Sequence, residues 1–174
     1  LTAEPAGPVT VTGIEKKKEN KNAPLLYNLA ELQNDCSKYF KISPDETLRI
    51  VQELYEKKMT TYPRTDARVL STAVAKEIHK NIGGLRSYAL ATPFAKEVLE
   101  QGTYKNIAKT RYVNDKQITD HYAIIPTGQG LNNLAGLAPT AAKVYEVIVR
   151  RFLSIFYPPA VYQKFSLTVK VKEE

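Results

Sequence analysis

Apolar side chains recur every three or four residues through the middle of the chain and at every second position near its two ends. Leu29, Leu32, Cys36, Tyr39 and Phe40 fall on one stripe of a helix turning once per about 3.6 residues, which predicts an amphipathic helix over 28–40. Ser43-Pro44-Asp45-Glu46 has the form of a capping box with proline at the first helical position. The helix it opens should turn Leu48, Val51, Leu54 and Tyr55 inward and stop near Lys57-Lys58, whose charges suit a helix C-terminus. Ser71 is placed to cap a helix carrying Val74, Ala75, Ile78 and Ile82 and closed by Gly83-Gly84. Another helix should run from Thr92-Pro93 to Gly102. After Pro139-Thr140, the residues Val144, Val147, Ile148, Phe152, Ile155 and Phe156 align on a longer helix, apolar nearly all round and therefore expected to lie centrally.

The flanks follow the other period. Val9 and Val11 alternate with Thr10 and Thr12, a short strand over 8–12, and a polar, charged linker occupies 13–24. Tyr157-Pro158-Pro159 bars further helix, and Val161, Phe165, Leu167, Val169 and Val171 then lie mostly on one face of a second strand. The expected fold class is mainly α with a few β-strands at the two ends. A helical body between two terminal strands reads as an insertion into a neighbouring sheet-containing domain, with divisions at 1–24, 25–157 and 158–174. The chain opens on Leu1 rather than an initiator Met, so it is expected to be a piece of a longer protein.

Composition narrows the function classes. The 174 residues suit one domain with an appended piece, enough to bury a core without disulfides. No apolar stretch approaches the roughly 20 residues that span a bilayer, and the start lacks a secretory pattern. Cys36 is the single cysteine, so no internal disulfide forms, and with two histidines it cannot fill a tetrahedral metal site. Its place on an apolar stripe makes it a buried core thiol. The net charge of +7 favours a polyanionic partner, nucleic acid being the commonest. Lys16, Lys17 and Lys18 read either as a solvated loop or as part of a binding patch.

Two segments carry candidate chemistry. In Thr60-Thr61-Tyr62-Pro63-Arg64-Thr65-Asp66, Pro63 disfavours helix at Tyr62 and leaves it extended or in a turn. Extended, Tyr62 and Arg64 share a face and Pro63 and Thr65 point elsewhere. A phenol ionises near pH ~10 and is a weak nucleophile at neutrality. A guanidinium beside it favours the phenolate and can grip a phosphate with two hydrogen bonds. A tyrosine so placed can attack a phosphodiester and hold it as a phosphotyrosine. It can equally be a packing tyrosine after a helix end. Asp66 suits either an orienting contact to Arg64 or, preferably, a cap on the next helix. In Ile118-Thr119-Asp120-His121-Tyr122-Ala123-Ile124-Ile125-Pro126-Thr127, His121 can donate to a phosphate oxygen or move a proton, or sit as a structural loop histidine. His79, beside Lys76 and Lys80, reads as a surface residue.

Together these segments resemble the signature of the type IA DNA topoisomerases. Tyr62-Pro63-Arg64-Thr65-Asp66 is similar to the family's tyrosine motif, and the proline form resembles the topoisomerase III branch. His121 with Ala123-Ile124-Ile125-Pro126-Thr127 resembles the family's histidine motif; Ala23-Pro24-Leu25-Leu26-Tyr27-Asn28-Leu29, Leu32-Gln33 and Leu54-Tyr55-Glu56 resemble the family too. The likeness covers about residues 23–156.

The resemblance implies a winged-helix-like helical domain flanked by strands of an arch-shaped domain. It makes Tyr62 the nucleophile, forming a 5′-phosphotyrosine with single-stranded DNA. Arg64 would position the tyrosine and the scissile phosphate, and His121 would contact that phosphate. Arg64, Thr65, Arg68 and His121 become DNA-binding residues. Ala67 departs from the serine common after the acidic residue, which puts one minor hydroxyl contact in doubt. The family binds Mg²⁺ in a separate Toprim domain. No Asp-x-Asp and no spaced acidic set stands here, so no metal ligand is assigned and this piece alone is expected to be inactive. The implied setting is a monomer in the bacterial cytoplasm, on the nucleoid, with no membrane partner. The competing class is a non-catalytic nucleic-acid-binding helical module, resting on the charge and on Lys57, Lys58, Arg64 and Arg68 near one helix end. A tyrosine recombinase would want Arg three residues after the histidine, where Ile124 stands.

Overall fold

Residues 23–157 are described by a computed structural model of the chain; the strands expected over 8–12 and within 161–171 lie outside them, as does nearly all of the linker. The described part is mainly α, and Pro24–Phe156 group together as one unit. The helices are α1 (Leu29–Phe40), α2 (Pro44–Glu56), α3 (Thr72–Lys76), α4 (Ile78–Gly84), α5 (Thr92–Gln101) and α6 (Pro139–Ser154). Short 3₁₀ turns at Thr103–Lys109 and Leu131–Gly136 fill two of the connections.

Local chemistry starts and stops most of these helices. Asn28 Oδ1 accepts from Glu31 N at 2.8 Å, Ser43 Oγ from Glu46 N at 3.1 Å and Ser71 Oγ from Val74 N at 3.1 Å. Each such cap is worth about 1 kcal/mol. At α2 the box is only half closed, because the Glu46 carboxylate takes Arg49 Nε at 3.0 Å and Nη2 at 2.6 Å instead of returning to Ser43. The helix expected over 71–84 is broken into α3 and α4 at Glu77, whose backbone (φ −108°, ψ 9°) leaves the helical region. α5 ends at Gly102, which takes φ +69°.

α1 packs on α2, and α2 packs on α6, the most buried helix. Val144, Tyr145, Ile148, Val149, Phe152 and Leu153 of α6 are all buried. Each such side chain removed from water contributes roughly 1.5–3 kcal/mol. Leu32 and Cys36 seal the inner face of α1, and Thr47, Ile50, Val51 and Leu54 that of α2. Tyr55 does not join them: it is 39% exposed, against the inward position its spacing predicts. One turn beyond Leu54 the α2 stripe has reached the helix end, and the ring leans outward onto Tyr62.

A polar tie holds α6 to the chain entry. Arg151 donates to Leu25 O at 2.8 Å and to Asp35 Oδ2 at 3.1 Å, and lies 4.1 Å from the centre of the Tyr27 ring. Tyr27 OH donates to the same carboxylate oxygen at 2.5 Å. Tyr27 is thereby fixed on its side-chain face, while its backbone pairs antiparallel with Ile124.

Candidate active site

After α2 the chain runs extended through Tyr62. Burial alternates there as a strand's would: Pro63, Thr65 and Ala67 are buried, Arg64 and Asp66 exposed. This segment pairs with the one after His121. Thr61 N donates to Ile125 O at 3.0 Å, and Thr60 bridges antiparallel to Pro126. Thr61 Oγ1 donates to Ala123 O at 3.0 Å and accepts from Ile125 N at 3.0 Å. Thr127 N donates to Met59 O at 2.9 Å. Chain entry and motifs interlock further on: Ile124 N donates to Tyr27 O at 2.8 Å, Ala123 N to Val69 O at 3.1 Å, and Leu29 N to Thr65 O at 3.1 Å.

This pairing brings Tyr62 and His121 together. Their ring centroids lie 4.4 Å apart with planes tilted by 33°, and Tyr55 meets Tyr62 edge-on at 5.2 Å. Both Tyr62 and His121 line an open cleft of about 570 Å³. Thr65 stands behind it, buried, its Oγ1 donating to His121 O at 3.4 Å and accepting from Ala67 N at 3.1 Å.

The other site candidates are placed differently. Arg64 is exposed and makes no hydrogen bond or ion pair among the described residues. Arg68 is engaged in the fold, its Nε donating to Leu26 O at 3.0 Å and its Nη2 to Leu25 O at 3.3 Å, with Glu31 4.0 Å away. Asp66 caps no helix, since the next one begins at Thr72 under Ser71; its contribution is a backbone carbonyl accepting from Asn28 Nδ2 at 3.2 Å. His79 is exposed, as its helix position implied. Cys36 is fully buried.

Lys58, one of the cations of the binding-module reading, lines the cleft, and so do residues that sequence reasoning did not single out as site residues: Tyr55, Thr61, Tyr122, Thr127 and Gln129. Burial raises the Tyr122 phenol above its ordinary value, which keeps it a neutral hydrogen-bonding group at this wall. A usable signal existed for Thr127, the polar end of an apolar run, and none for Gln129. Gly128 and Gly130 (φ +83° and +72°) shape that loop; a Cβ on Gly130 would stand 2.5 Å from Lys57 O. Among the described residues no three His, Cys, Asp or Glu side chains converge as a metal set.

The helical unit thus presents a half-buried Tyr62 stacked on an exposed His121, with Arg64 two residues further along the chain. Residues 2–174 match the family described as DNA topoisomerase, and the chain belongs to that family. It is 38% identical over 168 residues to DNA topoisomerase 3 of Bacillus cereus strain ATCC 14579, covering 95% of this chain and 22% of that protein. DNA topoisomerase 3 of Bacillus thuringiensis strain Al Hakam is also 38% identical, over 95% of this chain and 22% of its own length. That of Bacillus subtilis strain 168 is 35% identical over 94% of the chain and 22% of its length. These relatives place the chain on the topoisomerase III branch of the type IA enzymes. The chain spans about a fifth of their length, 22%.

Proposed function

We propose that this chain is the tyrosine-bearing part of an enzyme that cuts and reseals one DNA strand to change DNA topology. Tyr62 Oη attacks the scissile phosphorus and forms the P–OTyr bond; the bond to the 3′ oxygen breaks. The phenol gives up its proton, the departing 3′ oxygen takes one up, and the downstream strand stays on the enzyme as a 5′-phosphotyrosine. Resealing is the reverse, with the 3′ hydroxyl attacking and the tyrosine leaving, so no net bond energy is lost. Arg64 and His121 supply charge and hydrogen bonds to the phosphate oxygens as negative charge builds on them. Thr65 holds His121 in place from behind.

The observation that carries this reading is the Tyr62–His121 stack at the mouth of a cleft, made by residues far apart in the chain. Exposed Arg64, two residues after Tyr62 in the chain, and the net charge of +7 suit a single-stranded DNA substrate. Mg²⁺ belongs, in this reading, to a Toprim domain of the full-length enzyme, and no step is assigned to it here. Residues 1–24 and 158–174 belong to an arch domain, the enzyme is a monomer, and it works on the nucleoid in the bacterial cytoplasm. Alone, the described unit is inactive.

The test is adduct trapping. Full-length enzyme and its Tyr62→Phe variant are incubated with a single-stranded oligonucleotide and Mg²⁺, labelled either 5′ or 3′ of the break. Retention of the downstream label by the wild type alone is the expected result. Equal trapping by both proteins, or by neither, leaves a nucleic-acid-binding module as the better reading.

A further inference from the structure

Lys58 lies at the wall of the cleft that holds Tyr62 and His121, and the proposed strand cleavage does not use it. It is exposed and forms no ion pair among the described residues; its neighbour Lys57, by contrast, lies 3.8 Å from Glu53. The other charged group in the wall, Glu56, takes a hydrogen bond from Gln52 at 3.4 Å. The remainder of the lining is aromatic rings, hydroxyls and one amide.

The Lys58 backbone is left-handed, φ +64°. For a residue with a Cβ this costs roughly 1–2 kcal/mol, and glycine is the usual occupant after a helix end. The strained position is fixed from the last turn of α2 and from the His121 segment. Lys58 N donates to Tyr55 O at 2.9 Å, and Lys58 O accepts from Thr127 Oγ1 at 2.6 Å. Lys41 has the same conformation, φ +59°, at the end of α1, but it does not line the cleft. Conformation alone therefore marks no site. Lys58 differs in pairing that conformation with an unneutralised cation inside the cleft, on a backbone held by the residue that closes the His121 segment.

We infer that Lys58 binds a backbone phosphate of the DNA strand adjacent to the one Tyr62 attacks, and so sets how the strand lies across the cleft. The inference rests on the proposed role of Tyr62 as nucleophile. A flexible ammonium suits this task as a point charge that follows a mobile strand. Retaining lysine where glycine relieves strain is the feature that this contact explains.

The experiment is a salt titration of single-stranded oligonucleotide binding by the full-length enzyme carrying Tyr62→Phe, with and without Lys58→Gly. One lost phosphate contact makes the slope of log affinity against log salt shallower by about 0.7. Affinity at low salt is expected to fall about five-fold. Lys58→Arg should keep the slope, and Lys41→Gly should leave it unchanged. Both glycine variants should unfold at higher denaturant than their parent, which shows the fold intact. A Lys58→Gly slope equal to the parent's overturns the inference. Adduct formation by enzyme with Tyr62 intact, run alongside, separates the two readings. An adduct with an unchanged slope removes only the Lys58 contact; no adduct removes the Tyr62 reading and, with it, the neighbouring-phosphate assignment.

Discussion

The ring of Tyr62 lies over the imidazole of His121, 4.4 Å between centroids, and the backbone carbonyl of His121 accepts a hydrogen bond from Thr65, three residues past the tyrosine. One short segment thus carries both the nucleophile candidate and the clamp on its partner. Thr65→Val should remove the bonds to His121 O and to Ala67 N and cost about 1–2 kcal/mol in denaturant unfolding. Under the proposed function it should also lower kcat for strand cleavage more than it raises KM, and Thr65→Ser should restore most of the loss. A Thr65→Val enzyme with normal kcat would show that the clamp does not position His121.

Tyr62→Phe should leave stability unchanged within about 0.5 kcal/mol. The Tyr62 hydroxyl makes no hydrogen bond among the described residues, and phenylalanine preserves both ring contacts. Equal denaturation midpoints for the two proteins would confirm that any loss of adduct is chemical. A fall above about 1 kcal/mol would reveal a packing role instead.

What the sequence made legible was what a few consecutive residues decide. Ser43, Ser71 and Gly102 bound their helices by contacts within one turn, so their roles could be read directly, whereas Asn28, read as the first residue of its helix, is its cap. The apolar circumference of 139–156 likewise announced a central helix. Tyr62 and His121 were legible as residues, but their contact was not, because it depends on Thr61 finding Ile125 across the chain. Arg68 looked like a free cation near the tyrosine. Only the folded path of Leu25 and Leu26 beside it shows two carbonyls that occupy its guanidinium. Glu77 carries no breaker signal, so the break there was not legible from its neighbours in the chain.

The loop of Gly128 gives a sharp packing test. A Cβ on Gly84 would collide with the Gly128 carbonyl, and a Cβ on Gly128 would stand 2.6 Å from Asn81 O, so neither backbone can yield towards the other. Gly84→Ala should cost about 2–3 kcal/mol and disturb Thr127 and Gln129 in the cleft. Gly83→Ala is the control: its Cβ meets only Arg86 Nη2, at 4.0 Å. It should be neutral or stabilising by up to about 1 kcal/mol through helix propensity. Similar midpoints for the two variants would show that the loop does not press on α4.

Arg151→Ala removes the cation between α6 and the chain entry. It leaves the Asp35 carboxylate and Leu25 O short of a donor and strips the Tyr27 ring of its stacked guanidinium. Breaking such a largely buried pair from one side should cost about 3 kcal/mol. Adding Asp35→Ala should recover part of it, which a double-mutant cycle would measure. Strict additivity would mean that the two residues do not act as a pair.

Cys36 supplies a pH dependence with a definite sign. Burial, reinforced by the nearby Asp35 charge and opposed by Thr47, lifts the thiol from 9.0 to about 12 in the folded chain. The folded state therefore keeps its proton where the unfolded chain has lost it. Stability from this group is fully present below about pH 9 and is lost as pH rises towards about 12, with a slope approaching ~1.4 kcal/mol per pH unit. Tyr88, also lifted by burial to about 12, acts in the same direction but only from its ordinary value of 10.0 upward. Burial also raises the phenols of Tyr27, Tyr122 and Tyr145, so Cys36 supplies only part of the loss between about pH 9 and 10, and its share is what Cys36→Ala removes. Denaturant unfolding of wild type should weaken across that interval, and Cys36→Ala should flatten the trend while lowering stability at neutral pH. A wild-type curve that stays level to about pH 10 would mean that the thiolate is accommodated in the folded state, and that α1 opens more easily than its packing implies.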